Sequence, residues 1–201
     1  MRSIILKGHE VQSIRNNTRT QFRRVASNQP VGQSYSTVKC RKVDSEFQWY
    51  SELGESSLFK CPIGKIGERL WVKELHCIWN RKEIVGATRT YPAETGVYYY
   101  ADQGAMFQVP KWKAASRMPR WASRITLEIL DIQLERLHSI SAQDAYAEGF
   151  RCPQHREPHE CKCVCSQFDD MWERVNGHKS LMENPWVWVI TFKQVDGSVS
   201  M

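Results

Sequence analysis

The sequence lacks a long apolar run. Its N-terminal run, Ile4 to Leu6, is too short for the core of a signal peptide, and no later segment approaches the roughly 20 apolar residues of a membrane-spanning helix. We therefore expect a cytoplasmic protein without a membrane partner. No internal repeat is visible, and 201 residues with 41% apolar content suffice for one core. We expect a single domain over residues 1–201.

Acidic residues are nearly missing from two stretches of the chain. Residues 1–24 hold six Lys or Arg and one acid, Glu10, whereas residues 111–124 hold five Lys or Arg and no acid. The formal net charge of the whole chain is +6, and each of these two stretches alone carries +5, so the net positive charge is concentrated in them. Trp112 and Trp121 stand among the second set of cations. This distribution indicates an anionic partner, with RNA, DNA or a modified nucleotide as candidates.

The cysteines lack the paired Cys-x-x-Cys spacing of common zinc sites. Four of the seven crowd into residues 152–165 together with two histidines, which suits reduced thiols or metal better than a secreted disulfide framework. Structural zinc is coordinated tetrahedrally by such ligands. The alternative is a reduced, flexible loop without metal. The candidate zinc ligands are Cys152, Cys161, Cys163 and Cys165, with His155 or His159 as alternatives.

Periodicity predicts many strands and a few short helices. A helix is expected over residues 9–17 with Val11 and Ile14 inward, a second over 142–148 after the capping residue Ser141, and a third over 168–175. Strands are expected over residues 37–43, 69–75, 97–101, 124–137, with a bulge, and 186–192. Because strands and long helices do not alternate, the pattern indicates a small barrel of the α+β class.

Several motifs occur in a fixed order along the chain. The segment Asn17–Arg24 resembles the ASCH-domain signature Gly-x-Lys-x-x-Glu-x-Arg, which lies on and after the first helix. The whole set resembles a group of ASCH-like proteins encoded by bacteriophages and prophages. The resemblance is weak over residues 27–59 and 78–110 and does not extend to the Cys/His-rich insertion at about 151–166. The other motifs are Gly67–Glu74, Met118–Arg124, Asp144–Phe150 and Asn184–Val189.

The resemblance implies a PUA-like mixed β-barrel with a few short flanking helices. This superfamily is associated with binding RNA or modified bases in a cleft between the barrel and the first helix. Some small ASCH proteins are amidohydrolases that deacylate an N4-acylated cytidine and place a Lys, a Thr and a Glu in the cleft. The matching positions in this chain are Arg19, Phe22 and Glu148, so that only the glutamate is retained.

The two replacements change the expected chemistry. An arginine guanidinium is effectively always charged, so Arg19 cannot take the role of a lysine base or nucleophile. It suits forked hydrogen bonds to phosphate or to a guanine edge, and Phe22 offers a ring for stacking. The replacements therefore favour binding over hydrolysis.

We predict a protein that binds nucleic acid or a modified nucleotide, RNA in the first place. For the arginines, the alternative is a solvated basic face. A further alternative is a hydrolase, either a nuclease or an N4-acylcytidine amidohydrolase, with Glu148 or Glu74 as the acid or base. We assign Trp121 to the core. The predicted ligand contacts are Arg19, Phe22, Arg23, Arg24, Lys111, Trp112, Arg117 and Arg120.

Overall fold

The computed structural model describes residues 1–30, 37–79, 96–103, 111–154 and 163–195. The helices are α1 (Gly8–Arg15), α2 (Tyr100–Gln103), α3 (Ala142–Ala147), α4 (Cys163–Asn176) and α5 (His178–Glu183). The strands are β1 (Arg2–Ile5), β2 (Gln21–Val25), β3 (Lys39–Val43), β4 (Glu46–Ser51), β5 (Gly54–Glu55), β6 (Arg69–Lys73), β7 (His76–Trp79), β8 (Gly96–Tyr99), β9 (Thr126–Arg136) and β10 (Trp186–Val195).

The predicted α+β class is confirmed, because strands predominate and the helices are short. No closed barrel is found within the described part of the chain. The described residues also contain no helix that is long and apolar enough to cross a membrane. Contacts group the chain into two compact units, each drawn from separate segments, and the single domain stays a prediction. The first unit takes residues 1–17, 69–128 and 194–201, and the second takes residues 18–68 and 129–193.

In the first unit, three strands lie side by side in the order β1, β6, β9. β1 pairs with β6 in parallel, and β6 pairs with β9 antiparallel, which places buried Leu70 opposite buried Leu127. Helix α1 buries Val11 and Ile14, as their spacing predicts. The antiparallel pair of β7 and β8 completes the strands of this unit.

In the second unit, β10 lies between β9 and β2 and is buried on both faces. Val187 and Val189 pack on one face against Phe168 and Trp172 of α4, which explains why this face is not exposed. The opposite face carries the aromatic residues, as the alternation along the strand predicts. Its ring contacts are Trp186 with Trp49, Trp188 with Phe47, and Phe192 with Phe22.

Several predicted elements differ in their bounds from the structure, and two of them differ in kind or by several residues. The strand expected over 97–101 ends at Tyr99 and continues directly as α2, and α4 begins at Cys163, before the expected start at residue 168. The change of phase in β9 is confirmed by burial. Ile129 and Ile132 are buried, whereas Leu130 between them is 43% exposed.

Candidate functional site

Glu148 stands at the C-terminal end of α3 and is 1% exposed. The helix begins at Ser141, whose hydroxyl accepts from the Asp144 backbone N–H, while the Asp144 carboxylate accepts from the Ser141 N–H. The helix ends before Gly149, which takes a φ of 97° that side-chain-bearing residues rarely adopt. Local sequence therefore sets both ends of α3 and, with them, the position of Glu148.

Two arginines contact Glu148: Arg19, which precedes β2, and Arg23, which lies within it. Arg19 Nη2 donates to Glu148 Oε2 at 2.7 Å, and Arg23 Nη1 donates to Glu148 Oε1 at 3.1 Å. Gln21 supports both, since its carbonyl accepts from Arg19 Nε at 3.0 Å and its side-chain oxygen accepts from Arg23 Nη1 at 2.8 Å. Arg19 is 5% and Arg23 3% exposed. The structure thus brings together three of the predicted site residues, Arg19, Arg23 and Glu148.

Opposing effects act on the charge of Glu148. Burial raises the pKa of this carboxyl above its ordinary value, and the guanidiniums of Arg19 and Arg23 act in the opposite direction. A carboxyl in such surroundings has the environment of a catalytic acid or base as well as that of a structural ion pair.

Arg23 retains hydrogen-bonding capacity that the described residues do not use. Its Nε and Nη2 are buried and have no hydrogen-bond partner among those residues. The nearest carboxylate oxygens to Nη2 are those of Asp144 at 3.5 Å and Glu135 at 3.7 Å, as ion pairs. Three N–H donors of the buried guanidinium, one on Nε and two on Nη2, therefore make no hydrogen bond to the described residues.

Phe22 and Arg24 project from the other face of β2. Phe22 is fully buried and packs on Phe192, with 5.6 Å between ring centroids. The Arg24 guanidinium lies 5.0 Å from the centre of the Phe22 ring. Alternation along the strand separates these two side chains from Arg23, so they do not join the cluster around Glu148.

Glu74, the other predicted catalytic candidate, belongs to the first unit and is held by Arg124. Arg124 Nε and Nη2 donate to the two Glu74 oxygens, each at 2.9 Å, in the forked geometry typical of arginine and carboxylate. Arg124 also donates to Asp102 and lies 3.8 Å from the centre of the Tyr99 ring. Burial opposes the charged form of Arg124, but its bonds to Glu74 and Asp102 outweigh this effect and raise its pKa. Glu74 is thereby engaged as a buried counter-ion.

In the first unit, Lys73 and Arg120 lie against Trp71, and Arg117 and Trp121 are close to Arg120 along the chain. We call these residues the Trp71 surface: Trp71, Lys73, Arg117, Arg120 and Trp121. The Lys73 ammonium lies 4.9 Å and the Arg120 guanidinium 5.6 Å from the centre of the Trp71 ring. Lys73 Nζ also donates to the backbone carbonyl of Ser116, the residue before Arg117. Neither Arg117 nor Arg120 pairs with an acid of the described residues.

The assignment of Trp121 to the core is wrong, because its side chain is 63% exposed. It lies in a short 3-10 turn, Arg120–Ala122, whose buried side chain is that of Ala122. Trp112, one of the predicted ligand contacts, is half-buried and meets Tyr100 edge-on, with 5.3 Å between centroids and 87° between planes. The adjacent Lys111 is exposed.

Two of the predicted zinc ligands lie near one apolar cluster of the second unit. Cys152 is buried with Ala145 and Val164, and Cys165 packs partly buried against the same residues. Burial, helped by the nearby carboxylate of Asp169, raises the pKa of the Cys165 thiol. This shift disfavours the thiolate, which is the form that binds metal.

The other predicted zinc ligands give no metal geometry. Cys163 takes part in a disulfide bond, so the expectation of reduced thiols is wrong at this residue. Zinc binding by Cys163 requires its reduction. His155, His159 and Cys161 lie outside the described residues. Among the residues that are described, no group of three or more His, Cys, Asp or Glu is placed to hold a metal ion. The zinc site stays a prediction.

Sequence reasoning missed Gln21, Asp102 and the pairing of Arg124. Trp71 and Lys73 are only half-buried because strand alternation places them on the face opposite the buried Leu70 and Val72, and this pattern could have revealed the Trp71 surface. No comparable signal marks the pairing of Arg124 with Glu74, because 50 residues separate them. Comparisons with protein-family models, with curated protein sequences and with solved structures found no match to the chain.

Proposed function

We propose that this protein binds nucleic acid, RNA in the first place, through the Trp71 surface. The observation that carries the proposal is the exposed Trp121 beside cations that meet no acidic partner among the described residues. Cations neutralise phosphates and release counterions, while an exposed indole provides a face on which a base can stack. Stacking of this kind requires an unpaired base, so the expected ligand is single-stranded.

The buried arginines fit a different role. Arg19 and Arg23 are almost fully buried and hydrogen-bonded to Glu148, so they are not placed to contact the phosphates of a nucleic acid on the protein surface. We expect those phosphate contacts at the Trp71 surface instead. The ASCH resemblance adds support, because the PUA-like superfamily is associated with RNA and modified bases. Membership of that family and the closed barrel are part of the proposal.

Removing two cations of the Trp71 surface should lower both the affinity for RNA and the dependence of that affinity on salt concentration. For the variant carrying Arg117→Ala and Arg120→Ala, we expect the slope of log affinity against log salt to fall by about 1.4 on single-stranded RNA, as two lost phosphate contacts require. Trp121→Ala should cost about 1–3 kcal/mol of binding free energy through lost stacking. Fluorescence anisotropy with a labelled RNA measures both effects.

The matched control removes two exposed lysines of the second unit, Lys60→Ala and Lys179→Ala, and changes the net charge equally. We expect the control to bind like the wild type. Equal weakening by both double variants would show that only overall charge matters and would refute a defined surface. A DNA strand of the same sequence tests the preference for RNA.

A hydrolase acting on a modified nucleoside is the second candidate function. Two observations favour it: the buried Glu148 carboxyl has a raised pKa, and two nitrogens of Arg23, Nε and Nη2, have no hydrogen-bond partner among the described residues. These donors suit a carbonyl oxygen on which negative charge develops during acyl transfer, and Glu148 would exchange the proton. Arg19 stands where the family's lysine is expected and does not supply a nucleophile.

For this second function we expect slow release of acetate from N4-acetylcytidine by the wild type and none by Glu148→Gln. The variant is chosen because it keeps the shape of the side chain and one acceptor oxygen while removing the titrating group. Near-UV circular dichroism verifies that the variant is folded. Incubation with RNA and DNA in parallel tests nuclease action, and the absence of product from every substrate leaves binding as the function.

A further inference from the structure

A cavity of about 440 Å³ opens beside the C-terminal end of α1 in the first unit. Its lining is polar apart from one alanine and consists of Gln12, Arg15, Asn16, Ala101 and Asp102. This volume falls in the range of small-molecule sites. No step of the proposed function uses the cavity, although it belongs to the same unit as the Trp71 surface.

Asp102 is the acceptor at the centre of this lining. Its Oδ1 accepts from Arg15 Nη1, and its Oδ2 accepts from Arg124 Nη1. Arg124 is itself positioned by two hydrogen bonds to buried Glu74, so the donor that orients Asp102 has a defined position. An ionised carboxylate has about four lone-pair sites, so acceptor capacity remains on both oxygens. The Asp102 side chain is 31% exposed, which leaves that capacity accessible.

Arg15 places hydrogen-bond donors directly beside this carboxylate. A guanidinium has five N–H donors, and the pairing with Asp102 uses Nη1. Its side chain is 46% exposed, and Asn16, the capping residue of α1, adds an amide to the same wall. The cavity therefore presents a pair of acceptor oxygens with donors alongside.

We propose that this cavity binds a guanine base by its Watson–Crick edge, an inference that rests on the proposed binding of nucleic acid and names the base. Along its Watson–Crick edge, guanine carries the N2 amino donor, then the N1–H donor, then the O6 acceptor. The two donors match the two oxygens of Asp102, and O6 then faces the guanidinium of Arg15. Paired contacts of this kind give the strongest discrimination between bases.

The other bases do not match this arrangement. Adenine and cytosine each offer an amino donor next to a ring nitrogen whose lone pair would face a carboxylate oxygen. Uracil offers one N–H between two carbonyl groups, so that one of them would meet the carboxylate. Each mismatch sets an acceptor against an acceptor, which costs free energy in a partly desolvated site.

The test compares RNAs of about 12 nucleotides that are uridine throughout except for one central guanosine, adenosine or cytidine. Wild-type protein should bind the guanosine RNA about tenfold more tightly than the all-uridine RNA. Asp102→Asn, which replaces an acceptor oxygen by a donor, should abolish this preference and leave the affinity for all-uridine RNA unchanged. Arg15→Ala, at an exposed position, provides a second variant with little risk to folding. Glu128→Gln removes the same charge as Asp102→Asn and should retain the preference.

The outcomes separate the two proposals. Equal binding of all four RNAs, or a preference for guanosine that survives both Asp102→Asn and Arg15→Ala, overturns the guanine site and leaves nucleic-acid binding intact. If no RNA binds, the proposed function fails, and a titration with guanosine monophosphate then decides the cavity alone. Backbone amide shifts at Ala101 and Asp102 that are larger with guanosine than with adenosine monophosphate support the site, and their absence overturns it.

Discussion

Replacing Glu148 by alanine should lower the free energy of unfolding by about 3–5 kcal/mol. The Glu148 side chain is fully buried between Arg19 and Arg23, and its removal takes away the carboxylate that both buried guanidiniums contact, leaving Arg23, among the described residues, only the more distant carboxylates of Asp144 and Glu135. Such a loss exceeds the value of the hydrogen bonds alone, because unpaired charges cannot regain water in the core. Urea unfolding followed by circular dichroism measures the change.

Two matched variants sharpen this prediction. Glu148→Gln keeps acceptor capacity for one arginine and should cost less than the alanine variant. Glu135→Ala removes a carboxylate that also faces Arg23, at 3.7 Å, but whose side chain is 30% exposed, and it should cost less than about 1 kcal/mol. A loss of stability in Glu148→Ala no larger than in Glu135→Ala would mean that the buried ion pairs contribute little.

Replacing Arg124 by alanine should destabilise the protein by a similar amount, about 3–5 kcal/mol. The variant leaves Glu74, which is 2% exposed, as a buried carboxylate without its forked partner. Arg124→Lys keeps the charge but cannot reproduce the forked bonds, so its loss should be intermediate. Thermal and urea unfolding of the three proteins give the order of stability.

A double variant separates the cost of an unpaired charge from the value of the pair. When Glu74→Leu accompanies Arg124→Met, both partners become apolar and no buried charge is stranded. We expect the double variant to be more stable than Arg124→Ala. If it were as unstable as the single variant, lost packing or the lost bond from Arg124 to Asp102 would account for the destabilisation instead of the ion pair with Glu74.

Features decided by neighbouring residues were predictable from the sequence. The capping box at Ser141 and the glycine at 149 delimit α3, and the spacing of Val11 and Ile14 gives the buried face of α1. The change of phase within β9 was visible for the same reason. These features depend on residues within one or two turns, where geometry follows directly from residue type.

Exposure of single aromatic residues was predicted less well. Trp121 was expected in the core because large aromatics usually lie there, yet its turn buries Ala122 instead. Phe22 was expected to offer a ring to a ligand, whereas the structure places it in the core against Phe192. Whether one face of a strand or turn is buried depends on which other element packs against it, and the local sequence pattern does not contain that information.

For the basic segment around Arg19, the local sequence determined some features and the tertiary structure determined others. The sequence by itself determined that two stretches concentrate positive charge and that Glu148 ends a short helix. Only the tertiary structure decided that Arg19 and Arg23 are neutralised by Glu148, whereas Arg117 and Arg120 meet no acid of the described chain. The physical reason is distance along the chain: Glu148 lies 129 residues from Arg19 and 125 from Arg23, so folding alone determines which cations are buried with an acid and which are not.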